Sequence, residues 1–255
     1  MTKTKIDWAD MTWNPVTGCL HDCEYCYARK ITQRFSKKET DHKNRVIDKP
    51  IMERRIYCDD FPQAFPFGFS PTFHRYRLDE PTKIKKPQNI FVCSMADLFG
   101  EWVPDEWIKA VFDACKKAPQ HRYLFLTKNT KRYTQDPIYE MKMGRGVMDY
   151  WFGTTVCNQE EYDYKANRLP LYSYCFLSIE PIQSRIDLDF MGGIKWVIIG
   201  AETGNRKGKV IPKLEWIENI VNYCREKNVP VFMKNSLRDI WKEPLVQEYP
   251  WKEAI

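Results

Sequence analysis

The chain has 255 residues, of which 43% are hydrophobic and 29% are charged. This composition is typical of a folded globular protein and excludes a disordered or fibrous one. Forty Lys and Arg against 34 Asp and Glu give a net charge of +6, which favours an anionic partner but falls short of a dedicated nucleic-acid arm.

The predicted elements begin with a short strand near residues 13–17, a cysteine-rich loop and a helix whose apolar stripe is Tyr27, Ile31 and Phe35. Residues 36–88 form an insertion after this helix, with a basic run over 36–49, an aromatic, proline-rich stretch and one or two short helices. Beyond residue 90, short apolar runs predict six buried strands. These runs are NIFVCS, RYLFLT, YWFGTTV, YCFLSIE, KWVIIGAE and VPVFMK.

Two helices are predicted between these strands, over residues 103–117 and 213–227. The first has the stripe Trp107, Ile108, Val111, Phe112 and Cys115, and the second has Leu214, Ile217, Val221 and Cys224. Strands that alternate with helices predict an α/β fold with a parallel sheet and right-handed crossovers. Six or seven strands are too few for a closed eight-stranded barrel. We therefore predict one domain over residues 1–255, a partial (β/α)6–7 barrel of TIM type.

Three of the nine cysteines lie within eight residues, as Cys19, Cys23 and Cys26 in a C-x3-C-x2-C spacing. The first residues lack the apolar core of a signal peptide, and no apolar run is long enough to span a bilayer. The sequence therefore predicts a cytoplasmic protein that does not enter the membrane. A disulfide framework does not suit that compartment. Three thiolates on one loop can hold a metal centre. Zinc would need a fourth ligand, from His21 or a remote cysteine, whereas an iron-sulfur cluster would keep one iron open for catalysis.

The cysteine loop resembles the signature of radical S-adenosylmethionine enzymes, with Tyr25 as the aromatic residue before the last cysteine. The longer phrases TWNPVTGC, FVCSMADLFGE, YLFLTK, FLSIEP and WVIIGAETG look like a phage- and prokaryote-associated family of such proteins without an assigned function. This second resemblance extends from about Trp8 to Lys234. It implies a fold and a cofactor but no substrate.

The resemblance implies a [4Fe-4S] cluster on the three cysteines, with S-adenosylmethionine bound to the fourth iron. An external one-electron reductant would supply the electron that cleaves the cofactor to a 5'-deoxyadenosyl radical. The segment after the second barrel strand, which in that family binds the methionine amino group, contains Ser94 and Asp97 here but lacks the usual glycine pair. The alternative reading is an N-cap serine and a first-turn aspartate.

Other polar residues end the predicted strands, where barrel-like folds gather their chemistry. Lys128 could balance a carboxylate or phosphate, and Thr154 and Asn158 could meet ribose hydroxyls or simply cap a helix. Glu180 and Glu202 follow strongly apolar strands, so each carboxylate is either functional or paired with Lys128, Arg122 or Lys234. Gly200 would allow close approach of an adenine. Glu180 and Glu202 are the catalytic candidates.

Cations alternate with aromatic side chains in the insertion, a mixture that nucleic acids and nucleotides favour. The substrate candidates are His74, Arg75, Arg77 and, at the end of the last strand, Lys234. A solvated basic loop is the alternative for 73–86. The sequence thus predicts a radical S-adenosylmethionine enzyme with a nucleic-acid or nucleotide substrate. Its rivals are a nucleic-acid-binding module stapled by a metal or cluster, and an iron-sulfur electron-transfer protein.

Overall fold

A computed structural model describes residues 1–35, 50–58, 61–135, 149–170, 174–190 and 193–252. The basic run predicted over 36–49 lies outside these described residues. In chain order the helices and strands are β1 (Thr2–Lys3), β2 (Met11–Trp13), β3 (Val16–Thr17), α1 (Tyr27–Phe35), β4 (Ile51–Met52), β5 (Tyr57–Cys58), β6 (Phe61–Pro62), β7 (Thr72–His74), β8 (Asn89–Val92), α2 (Asp105–Lys116), β9 (Arg122–Thr127), β10 (Asp149–Val156), α3 (Gln159–Lys165), β11 (Tyr174–Ile179), β12 (Ile194–Ile199), α4 (Leu214–Glu226) and β13 (Val231–Met233).

The fold is mixed α/β with one large, mostly parallel sheet. Its strand order is β1-β2-β8-β9-β10-β11-β12-β13. Strand β1 is antiparallel to β2, whereas β2-β8-β9 and β10-β11-β12-β13 are parallel. The six strands predicted beyond residue 90 are confirmed as β8 to β13. The sheet is open, with β1 and β13 as its edges, so it does not close into a barrel.

The first predicted strand was placed too far along the chain. Strand β2 ends at Trp13, and Val16–Thr17 belongs to a separate sheet of order β3-β7-β4. Between them Pro15 has no N–H for a ladder, and the Asn14 side chain accepts from the backbone N–H of Met95 at 3.0 Å. The chain therefore changes sheets at Asn14 and Pro15.

The described part of the insertion contains four short strands that the sequence analysis did not predict, β4 to β7. Strand β7 pairs with β3 and β4, and β5 pairs with β6. The short helices predicted there are single 3-10 turns at Arg75–Arg77 and Pro81–Lys83. Strands of two or three residues carry too little periodicity to be read from sequence.

The helices differ in how well they match their predicted stripes. All five predicted residues of α2 are buried, as are Ile217, Val221 and Cys224 of α4, while Leu214 is exposed. The stripe of α1 was wrong, because Tyr27 is 47% and Phe35 is 65% exposed. The buried side chains of α1 are Ala28 and Thr32, and the Thr32 hydroxyl donates to the Ala28 carbonyl. None of the helices in the described ranges is long and apolar enough to cross a membrane.

The chain separates into two compact units. Unit 1 contains residues 1–4, 9–125 and 135–149, and unit 2 contains residues 5–8, 126–134 and 150–255. In the core of unit 1, Phe112 stacks on Phe125 with 4.9 Å between ring centroids. In unit 2, Trp196 packs against Phe176 and Phe232 at 5.9 and 6.1 Å. Each unit thus has an aromatic core of its own.

Strand β13 is covered on its outer side by the segment 246–248. The N–H of Met233 donates to the carbonyl of Val246 at 2.7 Å, and the N–H of Glu248 donates to the carbonyl of Val231 at 2.9 Å. Phe232 and Gln247 form an antiparallel bridge. At the other edge, β1 has only two residues, and both are exposed.

We expect Gly153→Ala to destabilise unit 2. A β-carbon at Gly153 would lie 2.4 Å from the ring of Phe176, which is completely buried. Overpacking of this kind costs about 1–3 kcal/mol of unfolding free energy, measurable by urea denaturation. Glu218→Ala, on the exposed side of α4, is the control and should change stability by less than about 0.5 kcal/mol. Equal stability of Gly153→Ala and wild type would contradict this packing.

Candidate functional site

The cysteine loop lies between β3 and α1 in unit 1, and its path starts at Gly18. Gly18 has φ +86, and its N–H donates to the carbonyl of Met95 at 2.9 Å. A β-carbon there would lie 2.2 Å from the carbonyl oxygen of Ser70. Only glycine permits both this conformation and this approach, so the entry to the loop is fixed by backbone contacts.

Three further contacts hold the loop. The N–H of Cys19 donates to the carbonyl of Phe69 at 3.2 Å. Arg29 donates to the carbonyl of Cys19 at 3.4 Å, and its guanidinium lies 5.0 Å from the centroid of the Phe69 ring. The Tyr27 hydroxyl donates to the carbonyl of Ser94 at 2.7 Å. The exposed ring of Tyr27 therefore serves the loop rather than the core.

The three loop thiols differ from the other described cysteines. Cys19, Cys23 and Cys26 are half-buried and form no disulfide, whereas the remaining described cysteines are buried. The backbone N–H of Arg29 donates to the Cys26 sulfur at 3.4 Å. The predicted core positions are confirmed for Cys93, Cys115, Cys175 and Cys224. The side chain of Cys58 lies outside the described residues, and Cys157 is buried with its sulfur 3.7 Å from the carbonyl oxygen of Glu180.

The donor chemistry of the loop fits a metal centre, although the thiols are not drawn together. Within the described ranges, no three His, Cys, Asp or Glu side chains are gathered closely enough to hold a metal ion. Burial raises the pKa of Cys19 to about 12, and the charges of Asp97, Cys23 and Cys26 act in the same direction. A metal ion that replaces the thiol protons would offset this mutual repulsion. The three thiols of this anchored loop would supply three of the ligands of such a centre.

Both carboxylate oxygens of Asp97 already have partners within the protein. Its Oδ2 lies 2.7 Å from Nε2 of His21, and its Oδ1 accepts from the N–H of Phe99 at 3.0 Å. Asp97 is 5% exposed, and the ring edge of His21 lies against Trp102 at 4.8 Å. The alternative reading of Asp97 as a first-turn aspartate is wrong, because α2 begins only at residue 105. The pairing of Asp97 with His21 was not predicted from the sequence.

Ser94 and Tyr25 are the other predicted cofactor-binding residues in unit 1. The Ser94 hydroxyl donates to Oδ1 of Asn14 at 3.2 Å, so it ties the end of β8 to the turn after β2. It is not the N-cap of a helix, since residues 93–103 form turns. Tyr25 is half-buried within the loop itself. Asn14, whose side chain joins the two strand ends, was not predicted from the sequence as a site residue.

The two predicted ribose contacts, Thr154 and Asn158, form hydrogen bonds within unit 2. Thr154 is completely buried, and its hydroxyl donates to the carbonyl of Thr127 at 2.9 Å. Asn158 is the N-cap of α3 and accepts from the N–H of Glu161 at 2.9 Å, which is the alternative considered for it. Burial by itself would raise the pKa of Glu161, but the charges of Lys165 and then of the half-buried Lys128 lower it.

Glu180 and Lys234 form an ion pair at the carboxyl ends of β11 and β13. Each side chain is between a fifth and a quarter exposed, so the pair opens to solvent. A β-carbon at Gly200 would lie 3.2 Å from the Lys234 side chain, 3.3 Å from the Ser236 hydroxyl and 3.4 Å from the Glu180 carboxyl carbon. Gly200 therefore makes room for this ion pair. Of the three cations predicted as partners, Lys234 is the one that contacts Glu180.

Glu202 is held by a cation that the sequence analysis missed. Nε and Nη2 of Arg206 donate to Oε1 and Oε2 of Glu202 at 2.7 and 2.8 Å. The carboxylate side chain is 3% exposed and the arginine 20%. The two residues are four apart in a turn after β12, a spacing that could have suggested the pair. The same turn contains Gly204 and Gly208 at positive φ and an exposed Lys207.

The substrate candidates in 73–77 are largely held by the protein itself. His74 is completely buried and its Nε2 lies 2.8 Å from the hydroxyl of Thr17. Burial lowers the pKa of His74 to about 3, and the charge of Arg77 adds to this effect. Arg77 donates to the carbonyl of Asn14 at 2.8 Å, and Arg75 pairs with Glu53 at 2.5 Å. The prediction of His74 as a surface cation was wrong, because alternation in β7 did not reveal that both faces are buried.

A family model described as "Protein of unknown function (DUF5131)" matches residues 3–243. The chain belongs to this family. The description of DUF5131 assigns no activity, substrate or cofactor. The matched range includes the cysteine loop and the ion pairs of Glu180 and Glu202. Comparisons with curated proteins and with solved structures gave no match.

We expect His74→Gln to flatten the loss of stability in acid. The histidine pKa is 6.5 when the chain is unfolded and about 3 when it is folded, so the unfolded chain binds more protons between these values. His74 therefore lowers the free energy of unfolding as pH falls from 6.5 towards 3, by about 1.4 kcal/mol per pH unit, and has no such effect above 6.5. Glutamine can still bond to Thr17 but does not titrate.

Urea denaturation of wild type and His74→Gln at several pH values measures this difference. The two curves should run parallel above pH 7 and approach each other below pH 6. Parallel curves over the whole range would mean that His74 is not buried in its neutral form.

Proposed function

We propose that this member of the DUF5131 family is a radical S-adenosylmethionine enzyme in which Cys19, Cys23 and Cys26 hold a [4Fe-4S] cluster. The observation that carries the proposal is the set of three free, half-buried thiols on one anchored loop, in a chain whose other described cysteines are buried. The C-x3-C-x2-C spacing and Tyr25 support the same assignment. A partial barrel of TIM type is the finer fold that we propose, and the open, mostly parallel sheet supports it.

When bound, the cluster and S-adenosylmethionine supply one-electron cleavage of a carbon-sulfur bond, and through it removal of hydrogen from a substrate. The protein's own part is placement and exclusion of water. Gly18, Arg29 and Tyr27 fix the backbone around the thiols, and the Arg29 N–H donates to the Cys26 sulfur. Protein N–H groups that point at ligand sulfurs tune the potential of such centres.

In unit 2, Glu180 and Glu202 are our candidates for contacts to the cofactor. Each is a carboxylate that follows a buried strand, and each is held at a fixed position by a cation, Lys234 or Arg206. The Glu180 pair is the more open of the two, and its side chains occupy the space that Gly200 leaves. Glu202 is nearly enclosed, which suits an orienting role better than direct contact.

A polyanionic substrate, a nucleic acid or nucleotide, remains our proposal for the substrate class. The net charge of +6 supports it. Exposed cations that would contact phosphates include Lys83, Lys85 and Lys86 of the insertion and Lys207 of the turn after β12. Arg75 and Arg77 would first have to leave Glu53 and Asn14.

A structural zinc site is a second candidate, because one observation favours it. His21 lies between Cys19 and Cys23 in sequence, and its ring is oriented by the buried carboxylate of Asp97. Carboxylate-oriented histidines are common among zinc ligands, and Cys3His is a usual structural set. In that case the protein would be a metal-stapled binding module. An electron-transfer protein would hold the cluster but ignore S-adenosylmethionine.

We expect each of Cys19→Ala, Cys23→Ala and Cys26→Ala to abolish cluster binding, because two thiolates cannot hold three irons. Anaerobic reconstitution of wild type should give a brown protein with about four irons per chain, whose spectrum changes when S-adenosylmethionine is added. Iron analysis and absorption spectra measure both. Cys224→Ala, on the buried face of α4, is the matched control and should keep iron and colour.

One zinc per chain in a colourless wild type, lost on His21→Ala, would establish the zinc site instead. A brown protein whose spectrum ignores S-adenosylmethionine would favour electron transfer. Loss of iron from Cys224→Ala but not from Cys23→Ala would refute the ligand assignment.

We expect Glu180→Gln to reduce cleavage of S-adenosylmethionine with little change in melting temperature, because its ion pair is partly open to water. Glu202→Gln should in addition lower the free energy of unfolding, by about 1–3 kcal/mol, because it leaves Arg206 without its enclosed carboxylate. The measurements are anaerobic cofactor cleavage and thermal unfolding. Asp187→Asn, which breaks the exposed pair with Arg185, is the control and should change neither. Normal cleavage by Glu180→Gln would remove Glu180 from the site.

A further inference from the structure

A cleft of about 920 Å³ opens in unit 2 at the amino ends of β10 to β13. Trp151, Tyr174 and Ile194 lie at the starts of β10, β11 and β12, and Pro230 precedes β13. Glu180 and Lys234 follow the same parallel strands at their other ends. Strand β11 has six residues, so at about 3.3 Å per residue its two ends are roughly 17 Å apart. The cleft is therefore separate from the candidate cofactor residues.

One wall of the cleft is an open aromatic surface. The ring of Tyr174 stacks on Trp151 with 5.0 Å between centroids and 13° between planes. Trp151 is 4% exposed and is held edge-on by Trp196 and Trp251 at 6.5 and 5.2 Å, so the indole is fixed. Tyr174 is nevertheless 55% exposed. Since one ring face is covered by the indole, the exposed part is the opposite face and the ring edge.

Two further aromatic side chains line the cleft, Phe190 and Tyr223. Phe190 and Tyr223 meet edge to face at 5.1 Å, and the Tyr223 hydroxyl donates to the carbonyl of Phe190 at 3.0 Å. A cleft that is lined by four aromatic rings and offers an exposed face of Tyr174 is suited to a flat aromatic molecule. Base-aromatic stacking is the interaction that this geometry provides.

The cleft is lined by side chains of both positive and negative charge. Lys195 is exposed at the start of β12, and the ammonium of Lys227 lies 5.5 Å from the Tyr223 ring centroid while it bonds to Glu226 at 2.8 Å. Asp189 accepts from the Tyr162 hydroxyl through one carboxylate oxygen at 2.9 Å. Lysines bind phosphate, and a carboxylate accepts from the amino group of a base.

We propose that this cleft binds a mononucleotide, whose base stacks on Tyr174 and whose phosphate lies beside Lys195. The volume agrees with this ligand, because pockets for small molecules range from about 300 to 1,000 Å³. The assignment goes beyond the proposed function and is independent of the cysteine loop. It gives the protein a nucleotide site at the opposite strand ends from Glu180 and Lys234.

The test is isothermal titration of the full-length protein with AMP, adenosine and inorganic phosphate. AMP should bind saturably, and Tyr174→Ala should weaken it by at least about tenfold through loss of stacking. Tyr174→Phe keeps the ring and should bind as wild type does. Lys195→Ala should weaken AMP by about two- to fivefold and leave adenosine unchanged.

Tyr164→Ala is the matched control. Tyr164 is another exposed tyrosine of unit 2, at 45%, and lies under Arg168 outside the cleft. Its replacement should leave AMP affinity unchanged. Thermal unfolding of every variant separates lost binding from lost structure. Cys23→Ala should still bind AMP, so the two proposals fail separately.

Three results would overturn the proposal. The first is no saturable binding of AMP at millimolar concentration. The second is binding that survives Tyr174→Ala in a folded protein, or that is lost on Glu180→Gln instead, which would place the nucleotide elsewhere. The third is a concentration-dependent dimer that Tyr174→Ala disrupts, which would show that a second copy of the chain covers the cleft.

Discussion

At Gly18 the chain passes so close to the carbonyl of Ser70 that no other residue fits there. This contact determines how the chain leaves β3 and where residues 19–26 begin. From that starting point His21 reaches Asp97, and Tyr27 at the start of α1 reaches Ser94. The placement of the three thiols thus depends on a backbone approach rather than on packing of their own side chains. A loop held in this way can keep polar groups half-exposed without losing its path.

In unit 2, two carboxylates lie beside apolar strands. An enclosed carboxylate without a partner costs several kcal/mol, so a cation has to accompany it. Arg206 provides a two-point contact to Glu202 from the following turn, while Lys234 reaches Glu180 from another strand. The local pair is nearly sealed, and the long-range pair is open. Both glutamates directly follow an apolar strand in the sequence, but their chemical environments differ.

The hydrophobic pattern predicted β8 to β13, α2 and most of α4, because long apolar runs and stripes are compatible with few other secondary structures. It did not predict the break at Pro15, where a proline ends a ladder, or the exposed stripe of α1, where Tyr27 is used as a hydrogen-bond donor. Site residues were harder. The cysteine loop could be recognised from its spacing, but the partners of Asp97 and Glu202 are set by tertiary contacts. The burial of His74 depends on strands too short to leave a pattern.

The segment that covers β13 has a consequence for how the protein behaves at high concentration. An open parallel sheet has two rows of unpaired backbone groups, which invite edge-to-edge association with other chains. Residues 246–248 occupy one row, and the opposite edge is a two-residue strand that contains Lys3. Both edges are thus poor templates for another strand. The open sheet can remain open because its margins resist aggregation.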